Sequence, residues 1–473
     1  MKKLIIIFLG TVLLTSCKKD QLELNPYNQI ETSQAFNTEA DVTLALNGLY
    51  SGLRGMYAGD VANIMGDVLA DNVIINQQGR LTLKTFGQWL YTGESTYSSF
   101  FNNGYSVVRR ANAILENIDN FTAGSFKDNT KGEALAARAM IYFDMAKIFA
   151  KTYTNAAATD SVLPYVTTTD PTILPAKEPV SVFYDKVVAD LEAAKLLVST
   201  ATTPNTRFNK RAVSGLLSKV YLYRGEWQKC VTASNDALGS SPEVTSLANF
   251  IKIWQDNSEE GVFFKIRNTK TDNLNSQGVN YYQTIGGQRK SEYVVEYNFK
   301  QLFTIDDIRS SAYIETSAYN GVLYNHVIKY NGRTNGDPAG VVDYKVVRGA
   351  EVLLNRAEAY FKLNNETSAL ADLNSLKSNR YFSFTPVSLS GTALINEIYL
   401  EHRLEMAFEG DRFFDLKRRN VPVQRDGTFG ERADGTGTPY VTLSIPLGSK
   451  LYQLPYPVDE LNYNTNFTQN PGY

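Results

Sequence analysis

Histidine, cysteine and tryptophan are scarce: the 473 residues include two, two and three of them. A Ser-His-Asp triad, a histidine general base or a His-ligated zinc site would have to use His326 or His402. No H-E-x-x-H, C-x-x-C, G-x-S-x-G or Walker A pattern occurs. "DNLNSQG" (272–278) has the look of a calcium loop, but Leu274 stands where a ligand belongs and no Glu follows at the required distance, so an EF-hand is excluded. No cofactor and no metal site is read from these residues. An excess of one charge is also missing. Net charge is −2, with both signs spread along the chain, which offers nucleic acid no basic face. Length alone would allow up to three domains, yet no Pro/Gly/Ser linker divides the chain.

The one long apolar run is Leu4–Leu14, after Lys2 and Lys3. It is too short to cross a bilayer of about 30 Å as a helix, but it suits a cleaved leader. Leu14-Thr15-Ser16-Cys17 resembles a bacterial lipobox, in which the cysteine becomes lipidated. The expectation is a leader over 1–16 and a mature chain tethered through Cys17 to a membrane. Only Cys230 then remains, so no internal disulfide is available and the core must suffice.

Helical periodicity dominates the chain beyond the leader. Thr38 is an N-cap candidate before Val42, Leu46, Leu49 and Leu53, which recur at helical spacing. Val107, Ala111, Ile114 and Ile118 repeat the pattern, as do Ala136, Met140, Phe143 and Ala146. Two further segments read as helical hairpins of about 30 residues, the size of tetratricopeptide units. One runs through Val213, Leu217 and Tyr221, breaks at Gly225 and resumes at Trp227, which is expected in the core. The other runs through Ala357 and Phe361, turns at Asn364-Asn365 and resumes at Ala369. The predicted fold is therefore mostly α: a tetratricopeptide-like scaffold with irregular loops and a few short strands. It forms one body over 17–473, with helical repeats to about 260 and a loop-rich half over 261–473. "GVFFKIRN" and "GVLYNHVIKYNG" read as strands, 268–300 as long ordered loops, and 424–440 as a Gly-rich excursion. The last helix is expected over 391–410, ended by Gly410.

The stretch "EHRLEMAFEGDRFFDLKRR" (401–419) interleaves acids and bases. On one helix Glu405 and Glu409 would lie at i, i+4, a spacing compatible with the two carboxylates of a glycoside hydrolase. A catalytic acid needs a raised pKa, however, and this many neighbouring cations favour ionisation. The better reading is a salt-bridge network.

These segments together resemble the SusD/RagB family of outer-membrane nutrient-binding lipoproteins of the Bacteroidetes. "SQAFNTEADVTLALNGLYSGL", "VVRRANAILENI" and "EALAARAMIYFDMAKIFA" are similar to its N-terminal half. "SKVYLYRGEWQKC", "TIDDIR" and "LLNRAEAYFKL" are similar to its middle, and "IYLEHRLEMAFEGDRFFDLKRRN" with the tail "YPVDELNYNTNFTQNPGY" to its end. The resemblance implies four tetratricopeptide-like units, and in it Glu405, Glu409, Gly410, Arg412 and Asp415 form a fold signature. It implies a non-enzymatic protein that binds oligosaccharide or polysaccharide, or peptide in RagB-like members. The ligand passes to a SusC-like TonB-dependent barrel in the outer membrane, over which the protein sits as a lid facing the exterior. Lys18 and Lys19 depart from the acidic residues that follow the cysteine in many such surface lipoproteins. The ligand loop implied by the family is "NQQGRLTLKTFGQWLYTGES", with Trp89 and Tyr91 as stacking platforms and Asn76, Arg80 and Gln88 as polar partners. Tyr281 and Tyr282 form a second candidate pair. A glycan-processing enzyme and a pure scaffold remain as the alternatives.

Overall fold

The computed structural model describes residues 35–57, 60–272, 280–338 and 340–473. The expected leader, Cys17 and nearly all of the 272–278 segment lie outside the described residues. The first described helix, Glu39–Tyr57, begins with a reciprocal cap. Thr38 Oγ1 accepts from the Asp41 amide at 3.2 Å, and Asp41 Oδ2 accepts from the Thr38 amide at 2.9 Å. Two otherwise unpaired donors are satisfied where the helix starts. Val42, Leu46, Leu49 and Leu53 are buried as one stripe, the face that a 3.6-residue period aligns.

Eight helices then pack in chain order as four antiparallel pairs. They are Glu39–Tyr57 with Ser98–Ile118, Ser125–Phe149 with Val180–Leu197, Lys210–Arg224 with Trp227–Leu238, and Gly349–Lys362 with Glu366–Ser378. The Ser125–Phe149 helix is covered from both sides. Ala134, Ala136, Ala137 and Ala139 are buried on it, because small side chains let flanking helices approach. Gly225 closes the third pair at φ 71°, its amide reaching the Leu222 and Tyr221 carbonyls, a left-handed stop that glycine adopts without strain. Asn364 closes the fourth at φ 59°, and Asn365 caps the next helix through the Ser368 amide at 3.1 Å. Trp227 departs from expectation. It is half-buried at the start of its helix, and the core tryptophans are Trp89 and Trp254, 7% and 3% exposed.

The loop-rich remainder lies over this stack and is pinned by two-stranded antiparallel ladders. Val262–Ile266 pairs with Tyr344–Arg348, and Ile314–Tyr319 with Val322–Val327, matching the strands expected from β-branched and aromatic content. Val73–Ile75 pairs with Tyr293–Val295, which clamps the loop after residue 75 against the 280–293 segment. Val423–Gln424 pairs with Ser444–Ile445 and closes the Gly-rich excursion at its base.

The last long helix is shorter than expected. It runs Gly391–Glu405, and a separate helix follows over Arg412–Arg418. Phe408 and Gly410 between them have φ of 65° and 72°. Their amides donate to Asp67, at 3.3 Å and 3.0 Å, from a helix distant in sequence. Tertiary hydrogen bonds at a buried carboxylate break the helical period there.

Candidate functional site

The charges of 401–419 are a buried ion network. Glu405, fully buried, accepts from Arg380 Nε at 2.7 Å and Arg348 Nη1 at 2.6 Å. Glu409 accepts from Lys329 Nζ at 2.7 Å and from both Arg348 Nε and Nη2. Glu401 takes Arg309 Nη2 at 2.7 Å, Lys377 Nζ at 2.8 Å and the Tyr381 hydroxyl at 2.6 Å. Burial pushes the Glu405 carboxyl up, but its arginine partners outweigh burial and hold it well below the usual range. Such a group cannot donate a proton at neutral pH, so the hydrolase geometry fails on charge. It fails on structure as well, since Glu409 lies beyond the end of the helix that carries Glu405.

His326 is not poised for base catalysis. His326 Nδ1 lies 2.7 Å from Ser291 Oγ, superficially a nucleophile–base pair. Yet Ser291 donates its only proton to the Tyr281 carbonyl, so the imidazole must be the donor in that contact. Both side chains are buried, and burial pulls the His326 pKa down to about 4, keeping the ring neutral. His402, Asp411 and Asp415 have ligand atoms close enough for a metal ion. Asp415, however, is already held by Arg418 and Arg419, each at 2.8 Å, and Lys219 lies 3.9 Å from Asp411. A dication there would face three fixed positive charges.

A hollow of about 550 Å³ lies where the Ser125–Phe149 helix ends. Its buried Lys417 donates to the Lys147 and Ala150 carbonyls at 2.7 Å and 2.6 Å. That is a cation capping a helix C-terminus, and burial pulls its pKa down to about 7.

The implied ligand loop turns out differently from expectation at its aromatic positions. Trp89 is 7% exposed, donates Nε1–H to the Leu69 carbonyl at 3.0 Å and has the Arg425 guanidinium 4.1 Å above its ring. Tyr91 is buried against Phe86, ring centroids 5.8 Å apart, with its hydroxyl on the Leu451 carbonyl. Tyr281 is buried between Tyr330 and Phe408. Asn76 is fully buried and shapes the turn by accepting from the Gln78 amide at 3.0 Å. None of these four presents a face to solvent in this conformation, so they build the loop from inside. Arg80 is exposed and pairs with buried Glu292 at 3.1 Å. Gln88 and Tyr282 are half-buried, and Tyr282 carries Arg289 4.2 Å over one ring face.

A shallow cleft of about 50 Å³ opens between this loop and residues 438–442. Gln77, Lys84 and Gln88 line one wall, and Tyr440 with Thr442 lines the other. Tyr440 is fixed by its hydroxyl on the Val73 carbonyl at 2.6 Å. With Tyr319 it packs half-buried on a small cluster of Ile74, Val294 and Tyr324 that stands apart from the main core. Beyond Tyr440 a second hollow of about 250 Å³ is lined by Asn298, Arg403, Gln424 and Asp426. Half-buried aromatic rings flanked by planar amides suit a ligand with apolar C–H faces and many hydroxyls. Tyr440 lies in an irregular segment and Tyr319 ends the Ile314–Tyr319 strand, and nothing in the sequence of either links one to the other. The ladder at 73–75 and 293–295, with the Ala433 amide on the Leu323 carbonyl at 2.9 Å, brings the two together.

Residues 20–222 match a SusD-like family model described as starch-binding associating with outer membrane, and residues 243–473 match that of the SusD family. The chain belongs to the SusD family. SusD-like protein P2 of Formosa agariphila is 25% identical over 550 residues, covering 100% of both chains. SusD-like protein P38 of the same organism is 26% identical, covering 89% of this chain and 91% of that one. Among solved structures, a putative sugar binding protein from Bacteroides vulgatus superposes with a TM-score of 0.82 at 25% identity, covering 93% of this chain and 99% of that one. A SusD superfamily protein from Bacteroides thetaiotaomicron gives 0.80 at 24% identity, covering 92% and 100%. The mostly helical fold is thus that of SusD superfamily structures. Among the described residues no helix is long and apolar enough to cross a membrane.

Proposed function

We propose that this SusD-family chain is a cell-surface lipoprotein that captures a glycan at the Tyr440 cleft without altering it. Anchored through Cys17 in the outer membrane, the body over 17–473 hands its ligand to a SusC-like TonB-dependent transporter. The carrying observation is the cleft itself, lined by half-buried Tyr440 with Gln77 and Gln88, and beside it half-buried Tyr319 packed on the same satellite cluster as Tyr440. Membership of the SusD family and likeness to a putative sugar binding protein support glycan as the ligand class. The carboxylates that could have served hydrolysis are instead tied to arginine and lysine. Arg80 and Gln88 from the family-implied loop and Tyr282 from the second candidate pair remain contact candidates, joined by Gln77, Tyr319 and Tyr440.

The test is affinity electrophoresis of residues 18–473 through gels cast with a panel of polysaccharides, wild type beside Tyr319→Ala. Retardation by a glycan, reduced at least several-fold in the variant, is the expected result. A panel that leaves every mobility unchanged would move the ligand class from glycan to peptide.

A further inference from the structure

The walls of the Tyr440 cleft carry two cations, Lys84 and Arg425, and no carboxylate. Arg425 is 3% exposed and bonds only uncharged oxygens. Its guanidinium donates to the Ala70, Val68 and Gly87 carbonyls at 2.7, 2.8 and 2.6 Å and to Thr442 Oγ1 at 3.2 Å. It sits between the rings of Trp89 and Tyr440, 4.1 and 4.7 Å from their centroids. Burial pulls its pKa below the ordinary arginine value, the mark of a charge removed from water without full compensation. Lys84 is exposed at the rim. A third cation, Lys290, lies 5.7 Å over the Tyr319 ring.

The nearest acids are already spent on other cations. Glu292 is held by Arg80, and Asp71 by Arg403 and Arg412. Glu296 and Asp426 lie in the second hollow, on the far side of Tyr440. The lining charges therefore differ across Tyr440: Lys84 and Arg425 with no carboxylate on one side, and Asp71, Glu296 and Asp426 with Arg403 on the other. A neutral sugar would gain little from that difference, whereas a low-dielectric wall holding the buried Arg425 charge, with exposed Lys84 at its rim, attracts an anion.

We propose that the glycan taken at this cleft is anionic, bearing carboxylate or sulfate groups that sit at Lys84 while its ring faces stack on Tyr440 and Tyr319. This rests on the glycan-capture reading above and narrows it. Arg425, with its donors already committed, acts through its field, and Lys84 makes the contact.

The test casts gels with alginate, a polyuronate, with carrageenan, a sulfated galactan, and with neutral dextran, and runs wild type beside Lys84→Glu and Lys84→Gln. Lys84 is exposed, so both variants should fold, which circular dichroism checks. Because the chain's net charge is −2, overall attraction to a polyanion cannot mimic a site. Retardation by alginate assigns the carboxylate, by carrageenan the sulfate, and either result supports the proposal. The dissociation constant should weaken about tenfold or more in Lys84→Glu, less in Lys84→Gln, and further in wild type when salt is raised tenfold. Equal retardation by dextran, or anionic binding untouched by Lys84→Glu, overturns the proposal and leaves glycan capture standing. No retardation by any of the three overturns it and counts against glycan capture as well.

Discussion

Replacing Glu405 by Gln removes one charge and almost no volume, and so isolates what the ion network contributes. Three arginines converge on this carboxylate. Arg348 retains Glu409 when Glu405 is lost, and Arg309 retains Asp307 and Glu401. Arg380 retains no carboxylate, only the Thr245 and Asn379 carbonyls. It is fully buried, so the variant strands a guanidinium in the core. Removing one partner of a buried pair costs about 3–5 kcal/mol. Urea unfolding followed by the emission of Trp254, which packs under Arg348 and Lys329, should show a midpoint lower by order of 1 M. A double variant, Glu405→Gln with Arg380→Met, should recover part of that loss, since the stranded charge is gone. The depressed Glu405 pKa adds a sign. Its stabilisation is complete above the unfolded carboxyl value of about 4.5 and is lost as pH falls through the lower folded value. The wild-type advantage over Glu405→Gln should therefore shrink in acid. A loss under about 1 kcal/mol at pH 7, or one that grows in acid, would refute the network reading.

Asp67 should behave in the opposite sense. Burial raises its pKa from 3.8 to about 7 despite three hydrogen-bond donors. Stability should thus fall by about 2–4 kcal/mol as pH rises from 4 to 8, a slope that Asp67→Asn removes and denaturation at stepped pH can read. At Gly66 an added Cβ would lie 1.9 Å from the Gly410 carbonyl oxygen. Gly66→Ala should therefore destabilise by about 3 kcal/mol, measured as a lower melting temperature. Trp89→Ala should cost about 3–5 kcal/mol by emptying a packed site. Tyr319→Ala should cost far less yet lose glycan retardation, and the reverse pattern would return Trp89 to the role of platform.

Features governed by neighbouring residues were legible before the fold was known. The Thr38–Asp41 cap, the 42/46/49/53 stripe, the Gly225 stop and the Asn364-Asn365 turn all act within one or two helical turns. Residue type and spacing therefore specify them. The ion network was legible in kind, because interleaved acids and bases beside phenylalanine can be buried only if paired. Its partners were not, since Arg309, Arg348 and Arg380 come from three other segments. The boundary of the 391–405 helix was misplaced for a related reason. Nothing near Phe408 in the chain opposes helix there, and the competing hydrogen bonds come from Asp67, 341 residues away.

The ligand face divides along the same line. The sequence by itself determined a SusD-like helical stack, an irregular layer over it, and a loop after residue 75 that borders the cleft. Only the tertiary structure decided which aromatic rings in that layer are free. Trp89 and Tyr91 look exposed in a polar loop, but carbonyls at Leu69 and Leu451 and the Arg425 guanidinium claim their polar edges and faces. Tyr440 and Tyr319 look ordinary, but packing on the Ile74, Val294 and Tyr324 cluster, apart from the main core, leaves both only half-buried. In irregular segments no periodicity links sequence position to burial, so which side of a ring meets solvent is set by long-range contacts alone.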